Sequence, residues 1–139
     1  MTMELFEFDE QNDASVIADE RRCVPRFYAR AVATIYRDND AMRKGIPCTL
    51  HDISIAGIGL NVEEEELDLR LMEPVKVRLQ NDVQRFDKEV RGIVRHISVL
   101  YDGMYRVGIE LGCRLTPLEV SLLKVRPMTG EDDGKSTWV

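Results

Sequence analysis

From Phe27 to Arg37 the chain alternates, with Phe27, Ala29, Ala31, Ala33 and Ile35 on one side and Tyr28, Arg30, Thr34 and Tyr36 among the residues opposite. A period of two sends successive side chains to opposite faces, so the run predicts a strand with one buried face. Asp38-Asn39-Asp40 is turn chemistry, a second strand is expected over Ile46 to Ile53, and Ile58, Leu60 and Val62 resume the alternation after Gly57, as in a hairpin. Val75, Val77 and Leu79 alternate with Lys76, Arg78 and Gln80, and Asn81-Asp82 turns the chain into a longer strand over Phe86 to Val99. Past Asp102-Gly103 a sixth strand runs through Tyr105, Val107, Ile109 and Leu111. Six strands with one apolar face each predict an all-β fold, a small antiparallel barrel or sandwich. Glu63 to Glu66 reads as a solvated loop or helical turn between strands.

One segment breaks the pattern. In Leu115-Thr116-Pro117-Leu118-Glu119-Val120, Thr116 suits the N-cap, Pro117 the first helical position, and Glu119 closes a capping box. Leu118, Ser121, Leu122 and Val125 then fall at i, i+3, i+4 and i+7, which predicts a helix packing this stripe on the barrel until Pro127 stops it. Residues 1 to 20 mix acids with Leu5, Phe6, Phe8, Val16 and Ile17, too few apolar residues for a core, and read as an acidic arm. The expected organisation is an arm over 1–20, one domain over 21–127, and a flexible tail over 128–139 in which Trp138 stands alone.

Composition narrows the function. The 139 residues carry 19 Lys plus Arg against 25 Asp plus Glu, a net charge of −6. Seven of the acids lie in residues 1 to 20, where there is no Lys or Arg, so the remainder holds 19 bases against 18 acids. A pI near 5.0 and 6% aromatics speak against binding of nucleic acid polymers, which favours basic, aromatic-bearing surfaces. No run reaches the roughly 20 apolar residues of a membrane span, and the acidic N-terminus lacks the basic start of a signal peptide, so a cytoplasmic protein without membrane insertion is expected. Cys23, Cys48 and Cys113 are odd in number and widely spaced, which favours reduced thiols over disulfides. Neither those cysteines nor the isolated His51 and His96 have metal-ligand spacing, so no metal and no cofactor are expected. There is no P-loop, no H-E-x-x-H and no paired nucleophile and base, so catalysis is not expected.

What remains is a local cluster. Arg21-Arg22-Cys23-Val24-Pro25-Arg26 sets three guanidiniums within six residues just before the first strand. Asp52-Ile53-Ser54-Ile55-Ala56-Gly57 sets a carboxylate, a hydroxyl and a glycine at a strand-to-strand turn. Each alone has a plain reading: a solvated basic turn, and a turn capped by Asp and Ser whose glycine supplies a positive φ.

Together, R-R-x-x-x-R followed by D-x-S-x-x-G resembles the two-part signature of the PilZ domain, a bacterial receptor for cyclic di-GMP, and the likeness extends over about residues 21 to 125. The resemblance implies a six-stranded antiparallel β-barrel with a C-terminal α-helix. It also implies cyclic di-GMP as the ligand of Arg21, Arg22, Arg26, Asp52, Ser54 and Gly57. The ligand's chemistry fits these residue types. A guanidinium matches a phosphate or the guanine O6/N7 edge bidentately and can lie on a purine face, so Arg22 and Arg26 are expected to carry most of the affinity. A carboxylate accepts from the guanine N1–H and N2–H, which gives Asp52 the discrimination against adenine. Ser54 adds a hydroxyl, and Gly57 lets ligand approach backbone. In the family the position of Arg21 is linked to whether one ligand or a stacked pair binds. The implied output is an unidentified protein effector in motility, exopolysaccharide, biofilm or virulence control. Because the acidic arm leads straight into the arginine segment, it is expected to be redirected when ligand clamps that segment. The alternative is a PilZ-like protein-interaction adaptor that does not bind the nucleotide.

Overall fold

A computed structural model describes residues 24–38, 44–101 and 103–128. The acidic arm, Arg21, Arg22 and Cys23, the middle of the first turn (39–43), Asp102 and the tail from 129 lie outside the described residues.

The strands are β1 (Phe27–Ala29), β2 (Val32–Arg37), β3 (Ile46–Ile53), β4 (Gly57–Val62), β5 (Pro74–Asn81), β6 (Phe86–Tyr101), β7 (Met104–Leu111) and β8 (Lys124–Pro127), with one helix, α1 (Pro117–Leu123), before β8. Six of them, in the order β2-β5-β6-β7-β4-β3, form an antiparallel sheet that β2–β3 pairing closes into a barrel. Closure leaves no free edge among these six strands. The inward positions are the ones the alternation marks: Ala33 and Ile35, Val75, Val77 and Leu79, and Val107 and Ile109 are all buried. Turn chemistry holds too. Asn81 Oδ1 accepts from the Gln84 N–H at 3.1 Å, Arg85 takes a left-handed φ of 54°, and Gly103 takes φ 78° at the β6–β7 reversal. The loop expected at Glu63 to Glu66 extends over residues 63 to 73 and is plugged into the core by Leu69.

Two elements depart from the sequence reading. The first strand is divided at Arg30, whose N–H turns to the Leu123 carbonyl at 3.0 Å while the Leu50 N–H still reaches Ala31 at 2.9 Å. Beyond that break, β1 pairs with the far end of β3 on one side and with β8 on the other. The helix is also shorter than its periodicity suggests. Lys124 is already extended (φ −70°, ψ 148°) and its N–H caps the Val120 carbonyl, so Val125 is an exposed strand residue. The face α1 buries is Val120 and Leu123, following Leu115, while Leu118 is 69% exposed. The open edge of β1 offers unpaired backbone groups that pairing can satisfy, and the chain is drawn into β8 instead of a further helical turn. Met128, assigned to the tail, is likewise tied by its N–H to the Arg26 carbonyl at 3.0 Å.

Candidate functional site

The site is built on the outside of the barrel around a bulge in β3. Leu50 and Ile53 point inward, yet two residues lie between them, because the register against β4 shifts between Leu50 and Asp52. A strand without a bulge would turn His51 and Asp52 to opposite faces; the extra residue sends both outward. Asp52 stands opposite Tyr28 of β1 and Gly59 of β4, and the same row continues to Gly108 of β7 and His96 of β6. Two residues along, a second outward row carries Thr49, Asn61, Arg106 and Ser98.

Asp52 is fully buried although it faces out. The Arg26 guanidinium donates to Oδ1, and His51 Nδ1 lies 2.7 Å from Oδ2. Burial works against ionisation of the carboxyl, but the His51 hydrogen bond and the charge and hydrogen bond of Arg26 outweigh it, and its pKa sits below the ordinary value. Gly59 makes room for this cluster, since a Cβ there would collide with the carboxylate of Asp52. Tyr28 meets His51 edge-on at 5.3 Å between ring centroids, and the Arg126 guanidinium carbon lies 4.2 Å over the Tyr28 ring. On β7, Arg106 Nε donates to Asn61 Oδ1 at 2.6 Å. Burial pulls the pKa of Arg106 down, against the raising influence of Asp52 and Tyr28. Three guanidiniums thus surround one carboxylate and one aromatic ring, an arrangement able to take an anionic, aromatic ligand.

The structure brings Arg26, Asp52, Ser54 and Gly57 into one neighbourhood, while Arg21 and Arg22 lie outside the described residues. In this structure their contacts are with the protein itself. Both oxygens of Asp52 are engaged by the protein's own donors. Ser54 is buried, and its Oγ accepts from the N–H groups of Ala56 (3.1 Å) and Gly57 (3.0 Å), which makes it the cap of the β3–β4 turn. Gly57 is extended, the first residue of β4 opposite Glu110, so the positive φ foreseen for it is not used. Arg26 is buried rather than displayed on a surface turn.

His51, Tyr28, Gly59, Arg106 and Arg126 lie outside both motifs. Arg106 is marked in the sequence only by its alternation with Tyr105 and Val107. Arg126 has no such mark, because apolar spacing through Val125 points to a helix rather than to β8.

The sequence model of the PilZ domain matches residues 20–125. The chain belongs to the PilZ domain family. No curated protein matches it. A solved structure titled as the Bacillus subtilis inhibitor of motility (MotI/DgrA) is similar with a TM-score of 0.56 at 17% identity, over 74% of this chain and 48% of that one. The chain therefore spans about half the length of that neighbour, and at this identity the likeness concerns the fold. PilZ proteins are receptors and adaptors, and the barrel, the short C-terminal helix and the outward cluster described above are arranged on that fold. Among the described residues no helix is long and apolar enough to cross a membrane, and no group of three or more His, Cys, Asp or Glu is placed to hold a metal ion.

Proposed function

We propose that this PilZ domain is a cyclic di-GMP receptor whose bound form acts on a protein partner. The observation that carries the reading is the meeting of Arg26 and Asp52. They are 26 residues apart in sequence, and both belong to the two-part motif. The pair lies beside Arg106 and Arg126 on the outer face of the barrel. Cyclic di-GMP offers two phosphodiester anions and two purine faces, and guanidiniums with an aromatic neighbour suit both. Arg21 and Arg22 complete the cation set, with Arg21 favouring a stacked ligand pair. Ligand entry requires Asp52 to share or exchange one of its present donors with the guanine edge.

Isothermal titration of the full chain with cyclic di-GMP is expected to give a low micromolar or tighter Kd, about −8 kcal/mol. Cyclic di-AMP is expected to bind more weakly, and Arg22→Ala and Arg26→Ala each to lose binding. Absence of heat at high ligand concentration would overturn the reading. It would favour the nucleotide-independent adaptor, for which the internal satisfaction of Asp52 by Arg26 and His51 is the supporting observation. Affinity capture with and without ligand would identify the partner, and motility, the output named for the structural neighbour, is the first process to assay.

A further inference from the structure

We propose that His51, outside the D-x-S-x-x-G spacing, is a positioning residue that acts through Asp52 to fix the buried Arg26 guanidinium within the binding cluster. This rests on the receptor reading above. The contact exists only because the bulge turns two consecutive side chains to the same face, where His51 Nδ1 lies 2.7 Å from Asp52 Oδ2. Arg26 holds the other oxygen. An ionised carboxylate only accepts hydrogen bonds, so the proton is on Nδ1 of His51. The imidazolium and this neutral tautomer both donate from Nδ1, and the link persists in either form. The ring is steadied in turn by Tyr28, edge-on at 5.3 Å, whose own ring lies under Arg126 at 4.2 Å. The sequence of supports is therefore Tyr28, His51, Asp52, Arg26. Asp52 is fully buried, so its most direct service in this conformation is to anchor Arg26.

Among the described residues, the charged and titratable groups facing the relay are Arg26 and Tyr28, Arg106 from β7, Arg126 from β8, and His96 from β6 across Gly108. All remain in any His51 variant, so a difference in pH profile between variant and wild type reports on residue 51. The test is cyclic di-GMP titration of the full chain from pH 8.5 down through the carboxylate range to about 3.5 for wild type, His51→Ala, His51→Gln and His51→Asn. Asn places an amide N–H where Nδ1 stood, and Gln places it one atom farther out. Ala and Gln should weaken binding about tenfold, as expected for a lost hydrogen bond to a charged group, while Asn stays near wild type. Without the His51 donor, burial raises the Asp52 carboxyl, so the affinity of the Ala variant should fall away at a higher pH than wild type as pH is lowered. Ring 15N shifts of the ligand-free protein should show Nδ1 protonated. Unchanged affinity and pH profile in Ala and Gln, an equal loss in Asn, or a bare Nδ1 would each overturn the relay while leaving the receptor reading in place. Failure of the wild type to bind would overturn the receptor reading, and the relay with it as a binding device.

Discussion

At the scale of the residue, Arg26 and Asp52 form a buried ion pair, and removing one partner strands the other. Asp52→Ala should therefore destabilise the fold by about 3–5 kcal/mol in addition to any effect on ligand, which chemical denaturation will register. The sign of the pH dependence follows from the lowered carboxyl. Its contribution is present above the unfolded-state pKa of about 3.9 and is lost as pH falls through the lower folded value. Asp52→Asn should remove that part of the acid limb in a plot of stability against pH. Gly59 is the second sensitive residue. Gly59→Ala drives a Cβ into the Asp52 carboxylate, and a cost of about 1–3 kcal/mol with loss of cyclic di-GMP binding is expected from denaturation and calorimetry. A substitution that adds one methyl group at a position outside both motifs would then act as strongly as a motif mutation.

At the scale of the element, α1 and β8 are one unit with two anchoring points. Thr116 Oγ1 accepts from the Glu119 N–H at 3.1 Å, and Glu119 Oε1 accepts from the Thr116 N–H at 2.8 Å, which fixes where the seven-residue helix starts. Glu119 Oε2 also takes Lys88 Nζ of β6 at 2.6 Å, tying the helix start to the barrel. A helix this short depends on its cap and its packing rather than on propagation. Thr116→Ala should lower stability by about 1 kcal/mol in thermal or denaturant unfolding. Because Leu123 accepts from the Arg30 N–H and β8 carries Arg126 onto Tyr28, the same variant should also shift the NMR signals of Tyr28 and His51. A change confined to residues 115 to 120 would show that the helix and the site are independent.

At the scale of the whole molecule, the closed barrel makes the interior a single cooperative core. Ile109 is fully buried, opposite Ile58 on one side and Val94 on the other, and Ile109→Ala should cost about 2–5 kcal/mol in one two-state transition. Cys48 supplies an internal probe of that transition. Burial pushes its thiol up to about 12, so alkylation at pH 8 should spare Cys48 in the folded protein while exposed Cys113 reacts. Peptide mapping after alkylation in increasing denaturant should show Cys48 labelling along the same curve as fluorescence unfolding. Labelling of Cys48 well before that transition would mean the β2–β3 seam opens locally.

The sequence by itself determined the strands and their inward faces, since period-two alternation in runs such as Val75 to Leu79 and Tyr105 to Leu111 is dictated by burial of one face and needs no partner to be named. It also determined the turns at Asn81 and Gly103 and the cap at Thr116, whose chemistry is local. The paired motif placed Arg26, Asp52, Ser54 and Gly57 at a common site by likeness, but not what each one touches. That was decided by the tertiary structure. A bulge breaks the alternation at His51, and only the β4 register reveals it, so a histidine that reads as an isolated strand residue becomes a ligand of the Asp52 carboxylate. Helical periodicity through Val125 was legible and wrong, because it counts apolar spacing and cannot see the open edge of β1 that turns Lys124–Pro127 into β8. Contacts between residues 26 and 52, 28 and 126, or 61 and 106 depend on strand order and barrel closure, which are properties of the whole chain rather than of any segment in it.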